Sequence, residues 1–162
     1  VYFVTGGAYT DIGGAADDFH FAYFPVTGNF AIQALIENIV PFTSTEAGIM
    51  IRSSLQANAS FALGLLHTDY GAYGFVRRAD AESVASVGYN SYLGIPTSIW
   101  VRLERTSTTN VTYSRSYDGV FWDTYGYETL PFGSNVYAGM AVATRQYRDK
   151  ATAAFRDWQI EQ

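Results

Sequence analysis

Apolar side chains fall on every second position in short runs along the whole chain, and no stretch keeps the 3.6-residue spacing of a confident helix. This period constrains the fold most, because a strand that alternates has one apolar face and must bury it against a second layer. The runs cover 1–5, 18–24, 30–39, 47–52, 61–68, 73–78, 83–87, 99–105, 110–116, 121–127 and 136–144. They are rich in aromatic and β-branched residues and are separated by segments of Gly, Ser, Asn and Asp. In 99–105 the faces separate cleanly, with Ile99, Val101 and Leu103 predicted inward and Trp100, Arg102 and Glu104 outward. Segment 25–28, with Pro25 and Gly28, reads as a hairpin turn, and so does Asp118-Gly119.

The tail, 150–162, is ambiguous: its alanines favour helix, yet Phe155, Trp158 and Ile160 fit neither template. It is read as a strand closing beside the N-terminal one, as sandwiches of this type require. About a dozen short strands with no linker predict an all-β, two-sheet antiparallel β-sandwich in one domain spanning 1–162.

Charge narrows the partners. A net charge of −5 and one adjacent cationic pair, Arg77-Arg78, give no footprint for nucleic acid or an anionic membrane. No apolar run is long enough to serve as a transmembrane helix, and a chain that opens on Val1 without a leader-like stretch suggests a mature or excised product. With no cysteine there is neither disulfide nor thiol chemistry. Asn58-Ala59-Ser60 and Asn110-Val111-Thr112 are acceptor sequences for N-glycosylation in a host that performs it.

Four blocks, in order from about residue 11 to 144, carry a family resemblance. They are Asp11-Ile12-Gly13-Gly14-Ala15-Ala16-Asp17-Asp18-Phe19-His20-Phe21, Ala47-Gly48-Ile49-Met50-Ile51-Arg52, Trp100-Val101-Arg102-Leu103-Glu104-Arg105, and Ser116-Tyr117-Asp118-Gly119-Val120-Phe121-Trp122 leading into Val136-Tyr137-Ala138-Gly139-Met140. The chain thereby resembles the DUF1349 type of concanavalin A-like, laminin G-like jelly-roll domain. That family has Trp where this chain has Gly13, so an aromatic anchor is missing from the loop. The resemblance implies a jelly roll from an exported protein, working outside the cell or at its surface as a carbohydrate-binding or adhesion module with a polysaccharide as partner.

Catalysis finds little support, since the six glutamates are scattered and lack the paired spacing of glycoside hydrolases of this fold. No nucleophile elbow, zinc-binding helix motif or phosphate loop occurs. The expectation is a non-enzyme. Its ligand contacts would be Tyr70 and Tyr73, read with Tyr89 and Tyr92 as exposed loop rings that stack on sugars, with Arg52 and His67 as polar contacts. Arg52 has a second reading, as the partner of a buried carboxylate such as Glu46 or Glu37. His20 reads as a hydrogen-bonded structural histidine. Asp11, Asp17 and Asp18 in a Gly-rich loop suit Ca²⁺, a hard cation, or else cap turns and strands. The rival to a binding module is a self-assembling subunit of an extracellular filament or surface layer, in which the apolar strand Val1-Tyr2-Phe3-Val4 completes the sheet of an identical neighbour.

Overall fold

The computed structural model describes residues 1–90 and 93–162. Twelve strands are present among them: β1 (Tyr2–Gly6), β2 (His20–Thr27), β3 (Phe30–Val40), β4 (Thr45–Arg52), β5 (Phe61–His67), β6 (Gly71–Arg77), β7 (Ala85–Val87), β8 (Ile99–Arg105), β9 (Asn110–Ser116), β10 (Asp123–Thr129), β11 (Asn135–Thr144) and β12 (Ala151–Glu161). They form two six-stranded antiparallel sheets, in the orders β1-β12-β3-β8-β9-β10 and β2-β11-β4-β5-β6-β7. This is the all-β sandwich that the alternation requires.

The main core lies between the sheets, where Ile32, Ile36, Ile49, Ile51, Leu103 and Phe155 are wholly buried. As predicted for 99–105, Ile99, Val101 and Leu103 are buried and the intervening side chains face out. A second, smaller core lies on the other face of the second sheet. There Met50, Phe61, Leu63, Leu65 and Tyr73 are covered by Ile12, from the loop between β1 and β2. β4, β5 and much of β11 are therefore apolar on both faces, unlike a sheet with one wet side.

Most predicted boundaries move by one to three residues, and three changes have a structural reason or shorten a strand. Pro25 and Val26 lie inside β2, paired with Tyr137 and Val136, and β2 and β3 belong to different sheets. Segment 25–28 is therefore no hairpin; the chain crosses between layers at Gly28-Asn29, where Gly28 takes a positive φ. β2 is an edge strand, the place where a sheet tolerates proline. The run 121–127 begins at Asp123, because Asp118 accepts hydrogen bonds from the Val120 and Phe121 amides and holds both residues in the hairpin tip. The run 83–87 shortens to β7.

The tail is indeed a strand, and its broken period has a cause. Asp157, at φ 50°, marks a bulge where the pairing of β12 with β3 shifts register between Arg156 and Gln159. One extra residue flips the parity, so odd-numbered Phe155 and even-numbered Trp158 and Ile160 all pack on the same core. β12 also pairs with β1, from Tyr2 opposite Phe155 to Gly6 opposite Ala151. The N-terminal strand thus pairs within its own chain, at one edge of the first sheet. No helix among the described residues is long and apolar enough to cross a membrane.

Candidate functional site

The loop carrying Ile12 crosses the outer face of the second sheet and leaves a polar group of side chains at each end of β4. Outward positions on β4 alternate as Glu46, Gly48, Met50 and Arg52, so Glu46 and Arg52 lie about 20 Å apart at the usual rise per residue. Each has outward cross-strand neighbours on β5 and β6, and the two ends differ in chemistry.

At the Arg52 end the donors and acceptors match. Asp17 bridges two guanidiniums: Arg77 donates through Nη2 to Oδ1 at 2.6 Å and through Nη1 to Oδ2 at 2.9 Å, and Arg52 Nη1 donates to Oδ2 at 3.2 Å. These side chains are almost fully sealed from water. Remaining donors of Arg52 reach the Ser54 and Gln56 carbonyls, and those of Arg77 the carbonyls of Gly14, Ala57, Ala59 and Glu82. Burial pushes the Asp17 carboxyl up, and the two guanidiniums offset only part of the rise. Arg52 therefore pairs with a buried carboxylate, but that carboxylate is Asp17 and neither Glu46 nor Glu37; Glu37 binds Arg156. The guanidinium lies over Phe19, which together with Phe21 and Tyr23 lines a shallow cavity beside it.

The three aspartates of the loop have separate partners. Asp11 holds Arg145 through both carboxylate oxygens, Asp17 holds the two arginines, and the backbones of Asp11 and Asp18 close a β-bridge. Among the described residues no three histidine or carboxylate side chains group closely enough to hold a metal ion. His20 is exposed on β2, not packed as a structural histidine.

At the opposite end the match fails. Glu46 and His67 are cross-strand partners in the β4–β5 register and share the outer face. The Asp69 amide donates to His67 Nδ1 at 3.0 Å, so the neutral ring carries its proton on Nε2, which lies 3.7 Å from Glu46 Oε1. That distance is too long for a hydrogen bond. The Ile12 amide approaches Glu46 without closing a bond of normal geometry, and both carboxylate oxygens are buried with no hydrogen-bond partner among the described residues. Desolvation, reinforced by Asp11 and opposed by Arg145, pushes the Glu46 carboxyl up to about 7. Burial also lowers the His67 pKa, partly offset by Asp69.

His67 and three tyrosines pack ring against ring in a closed circuit. Centroid distances are 4.5 Å from His67 to Tyr70, 6.4 Å from Tyr70 to Tyr89, 5.3 Å from Tyr89 to Tyr73 and 6.4 Å from Tyr73 back to His67. The β5–β6 turn places Tyr70: its amide donates to the His67 carbonyl, and Gly71 follows at φ 86°, a conformation that admits glycine readily. Asp69 fixes the turn from outside by accepting from the Ser44 amide and hydroxyl. Tyr70 and Tyr89 are about half exposed, whereas Tyr73 is buried at 5%, contrary to its predicted exposure. Tyr92 lies outside the described residues.

The structure thus brings His67, Tyr70 and Tyr73 together and leaves Arg52 at the far end. Sequence reasoning took Glu46 only as a partner for Arg52. Its signal was parity, since Glu46 shares the face of Met50 in a strand with no other acidic residue.

No protein-family model matches the chain, and no curated protein matches its sequence. Solved structures match the fold. A functionally unknown protein from Saccharomyces cerevisiae has a TM-score of 0.76 at 18% identity, over 98% of this chain and 86% of that one. The carbohydrate-binding module CBM66 from Bacillus subtilis has a TM-score of 0.59 at 13% identity, over 92% and 84%. Lectin II from Ulex europaeus reaches 0.61 at 9% identity, over 98% and 92%. A xylan β-1,4-xylosidase carries the fold as well, this chain covering 28% of its length. The chain has the concanavalin-like jelly-roll fold, and function has to be argued from its side chains.

Proposed function

We propose that this domain is a non-catalytic glycan-binding module of an exported protein, of the DUF1349 type, and that it holds its polysaccharide at the Glu46 end of the second sheet. One observation carries the reading: a carboxylate buried with both oxygens unpartnered among the described residues, 3.7 Å from the ring of His67, whose packing chain runs out to the half-exposed Tyr70 and Tyr89. An unmet buried acceptor is costly, and a ligand rich in donors relieves it. Sugar hydroxyls are such donors, and the apolar faces of pyranose rings stack on tyrosine. The fold shared with a carbohydrate-binding module and a lectin supports the reading. Replacing Tyr70 and Tyr89 together by alanine and measuring retention on insoluble polysaccharides tests it. The double variant should lose retention on any glycan that holds the parent domain; unchanged retention sinks the site.

A second reading, self-assembly, is favoured by the exposed apolar side chains of Val1, Tyr2, Phe3 and Phe24 along the edge strands β1 and β2. Sedimentation at high concentration distinguishes the two, because a subunit forms oligomers and a binding module stays monomeric.

A further inference from the structure

Room and access for a ligand lie beside the Asp11–Arg145 pair, at the end of β11. A cavity of about 350 Å³, open to solvent, is lined by Tyr9, Thr10, Asp11 and Arg145, and its volume falls in the range of small-ligand sites. Tyr9 is 72% exposed, and the side chains of Arg145 and Asp11 are 58% and 46% exposed. The backbone fixes the ring of Tyr9. Its amide donates to the Gln146 carbonyl at 2.9 Å and the Thr10 amide to the Thr144 carbonyl at 2.8 Å, which ties the loop to the end of β11. Tyr9 takes φ 56°, an uncommon left-handed conformation for so bulky a residue, and its ring meets Tyr147 edge-on at 5.9 Å. Backbone strain of this kind collects at binding sites, and here it holds an aromatic ring out to water beside a charged pair.

The pair keeps hydrogen-bonding capacity on its open side. Arg145 donates to Asp11 from Nε to Oδ1 at 3.1 Å and from Nη2 to Oδ1 at 2.9 Å and Oδ2 at 3.0 Å. Arg145 Nη1 has no acceptor among the described residues, and Oδ2 receives one bond where a carboxylate oxygen accepts two. A spare donor beside a spare acceptor matches two adjacent sugar hydroxyls, one accepting from Nη1 and the other donating to Oδ2. A ligand carboxylate or sulfate would face Asp11, and a ligand ammonium would face Arg145, each setting like charge against like.

The cavity is continuous with the Tyr70 turn. The Arg145 amide donates to the Ser44 carbonyl at 3.0 Å, and Ser44 in turn donates to Asp69, the residue before Tyr70. β11, β4 and β5 are successive strands, so the cavity and the Tyr70 turn lie about 10 Å apart at the usual strand spacing, a distance that a short oligosaccharide spans.

We propose that this cavity is a sugar subsite in which Asp11 and Arg145 bind two adjacent hydroxyls of a pyranose lying against Tyr9, and that the glycan recognised is therefore uncharged. The assignment rests on the glycan-binding reading above and names its ligand class. Neighbouring units of the same chain reach the exposed rings of Tyr70 and Tyr89.

Calorimetric titration of the intact domain with cellohexaose, xylohexaose and mannohexaose, and with the hexamers of galacturonate and glucosamine, tests the assignment. At least one neutral hexamer should bind about tenfold more tightly than either charged one, with no loss between about 0.05 and 0.5 M sodium chloride. Tyr9→Ala and Arg145→Gln should each weaken that binding about five- to tenfold and leave the melting temperature unchanged. Equal or tighter binding of a charged hexamer overturns the assignment of an uncharged glycan. Binding of a neutral hexamer that is unchanged in Tyr9→Ala or Arg145→Gln, but lost when Tyr70 and Tyr89 are both replaced by alanine, overturns the subsite and leaves the glycan reading standing. A loss that tracks a fall in melting temperature in both cavity variants is unfolding and also overturns the subsite. Binding lost in the cavity variants and kept in the Tyr70 and Tyr89 double variant supports the subsite and overturns the site placed at Glu46. No binding of any hexamer overturns both.

Discussion

The two ends of β4 are built from the same materials, a buried carboxylate, basic side chains and aromatic rings, and they reach opposite states. At one end Asp17 finds two guanidiniums, and the remaining N–H groups of Arg52 and Arg77 find backbone carbonyls. At the other end Glu46 finds an imidazole at 3.7 Å, whose pKa is lowered by burial, and no hydrogen-bond partner among the described residues. An ion group with every partner in place holds loops together and has nothing left to offer a ligand. An unmatched carboxylate costs stability, and such local costs concentrate at sites of binding.

The largest effect expected from breaking this contrast is at Asp17. Replacing it by alanine leaves two buried guanidiniums without their anion and detaches the loop that carries Ile12 from β4 and β6. Removing one partner of a buried ion group costs about 3–5 kcal/mol, a large part of the roughly 5–15 kcal/mol that holds a typical domain folded. Urea denaturation of Asp17→Ala measures it. A loss below about 1 kcal/mol would mean that the cluster is not structural.

Substitution of Glu46 should act in the other direction and depend on pH. Folded Glu46 keeps its proton up to about pH 7, whereas the ordinary carboxyl value is 4.5, so between these limits the native state binds more protons than the unfolded one. Stability then falls as pH rises through that window, by up to about 3 kcal/mol over its full width. His67 slopes oppositely: its lowered pKa makes the folded state lose stability as pH falls below the ordinary 6.5. Comparing Glu46→Gln with the parent isolates the Glu46 contribution. The two should melt alike near pH 4.5, and the variant should be roughly 6–10 °C more stable at pH 8. A gap that does not change with pH would show that Glu46 is already ionised or already partnered.

The contrast also explains what could be read from the sequence. Alternation located the strands because burial on one face is a local demand, visible in residues such as Ile99, Val101 and Leu103. It failed at Phe155 and Trp158 because a bulge at Asp157 changes the parity in mid-strand, and at Pro25 because an edge strand accepts proline. His67, Tyr70 and Tyr73 were found together because one hairpin joins them. Glu46 and Tyr89 reach them only through sheet pairing and loop packing, and Asp17 reaches Arg77 from 60 residues away in the chain. No spacing rule encodes such non-local partners, so the sequence leaves Arg52 open between a ligand contact and the partner of a buried carboxylate, and cannot name Asp17 as that carboxylate.

A smaller effect on stability, and the sharper one on function, belongs to the exposed rings. Tyr70→Ala with Tyr89→Ala removes two half-exposed side chains and should change folding stability by less than about 1 kcal/mol. Each stacking ring lost should weaken glycan binding by about 0.5–1.5 kcal/mol. Equal loss in binding and in folding stability would show that the tyrosines merely pack the sheet.

Tyr23 supplies the matching test at the opposite end. It is 43% exposed, stacks on Phe21 at 5.4 Å and lines the cavity beside Arg52, so as a surface aromatic it resembles Tyr70. What it lacks is an unpartnered polar group beneath it, since the arginine donors at that end already have acceptors. If exposed rings alone made a sugar site, Tyr23→Ala and Tyr70→Ala would weaken polysaccharide retention equally. If the unmatched carboxylate defines the site, Tyr23→Ala should leave retention unchanged within error and cost less than about 1 kcal/mol of stability. Affinity electrophoresis of the two single variants against one retained polysaccharide separates these outcomes. Loss of retention in Tyr23→Ala alone would move the site to the Arg52 end and end the distinction drawn between the two.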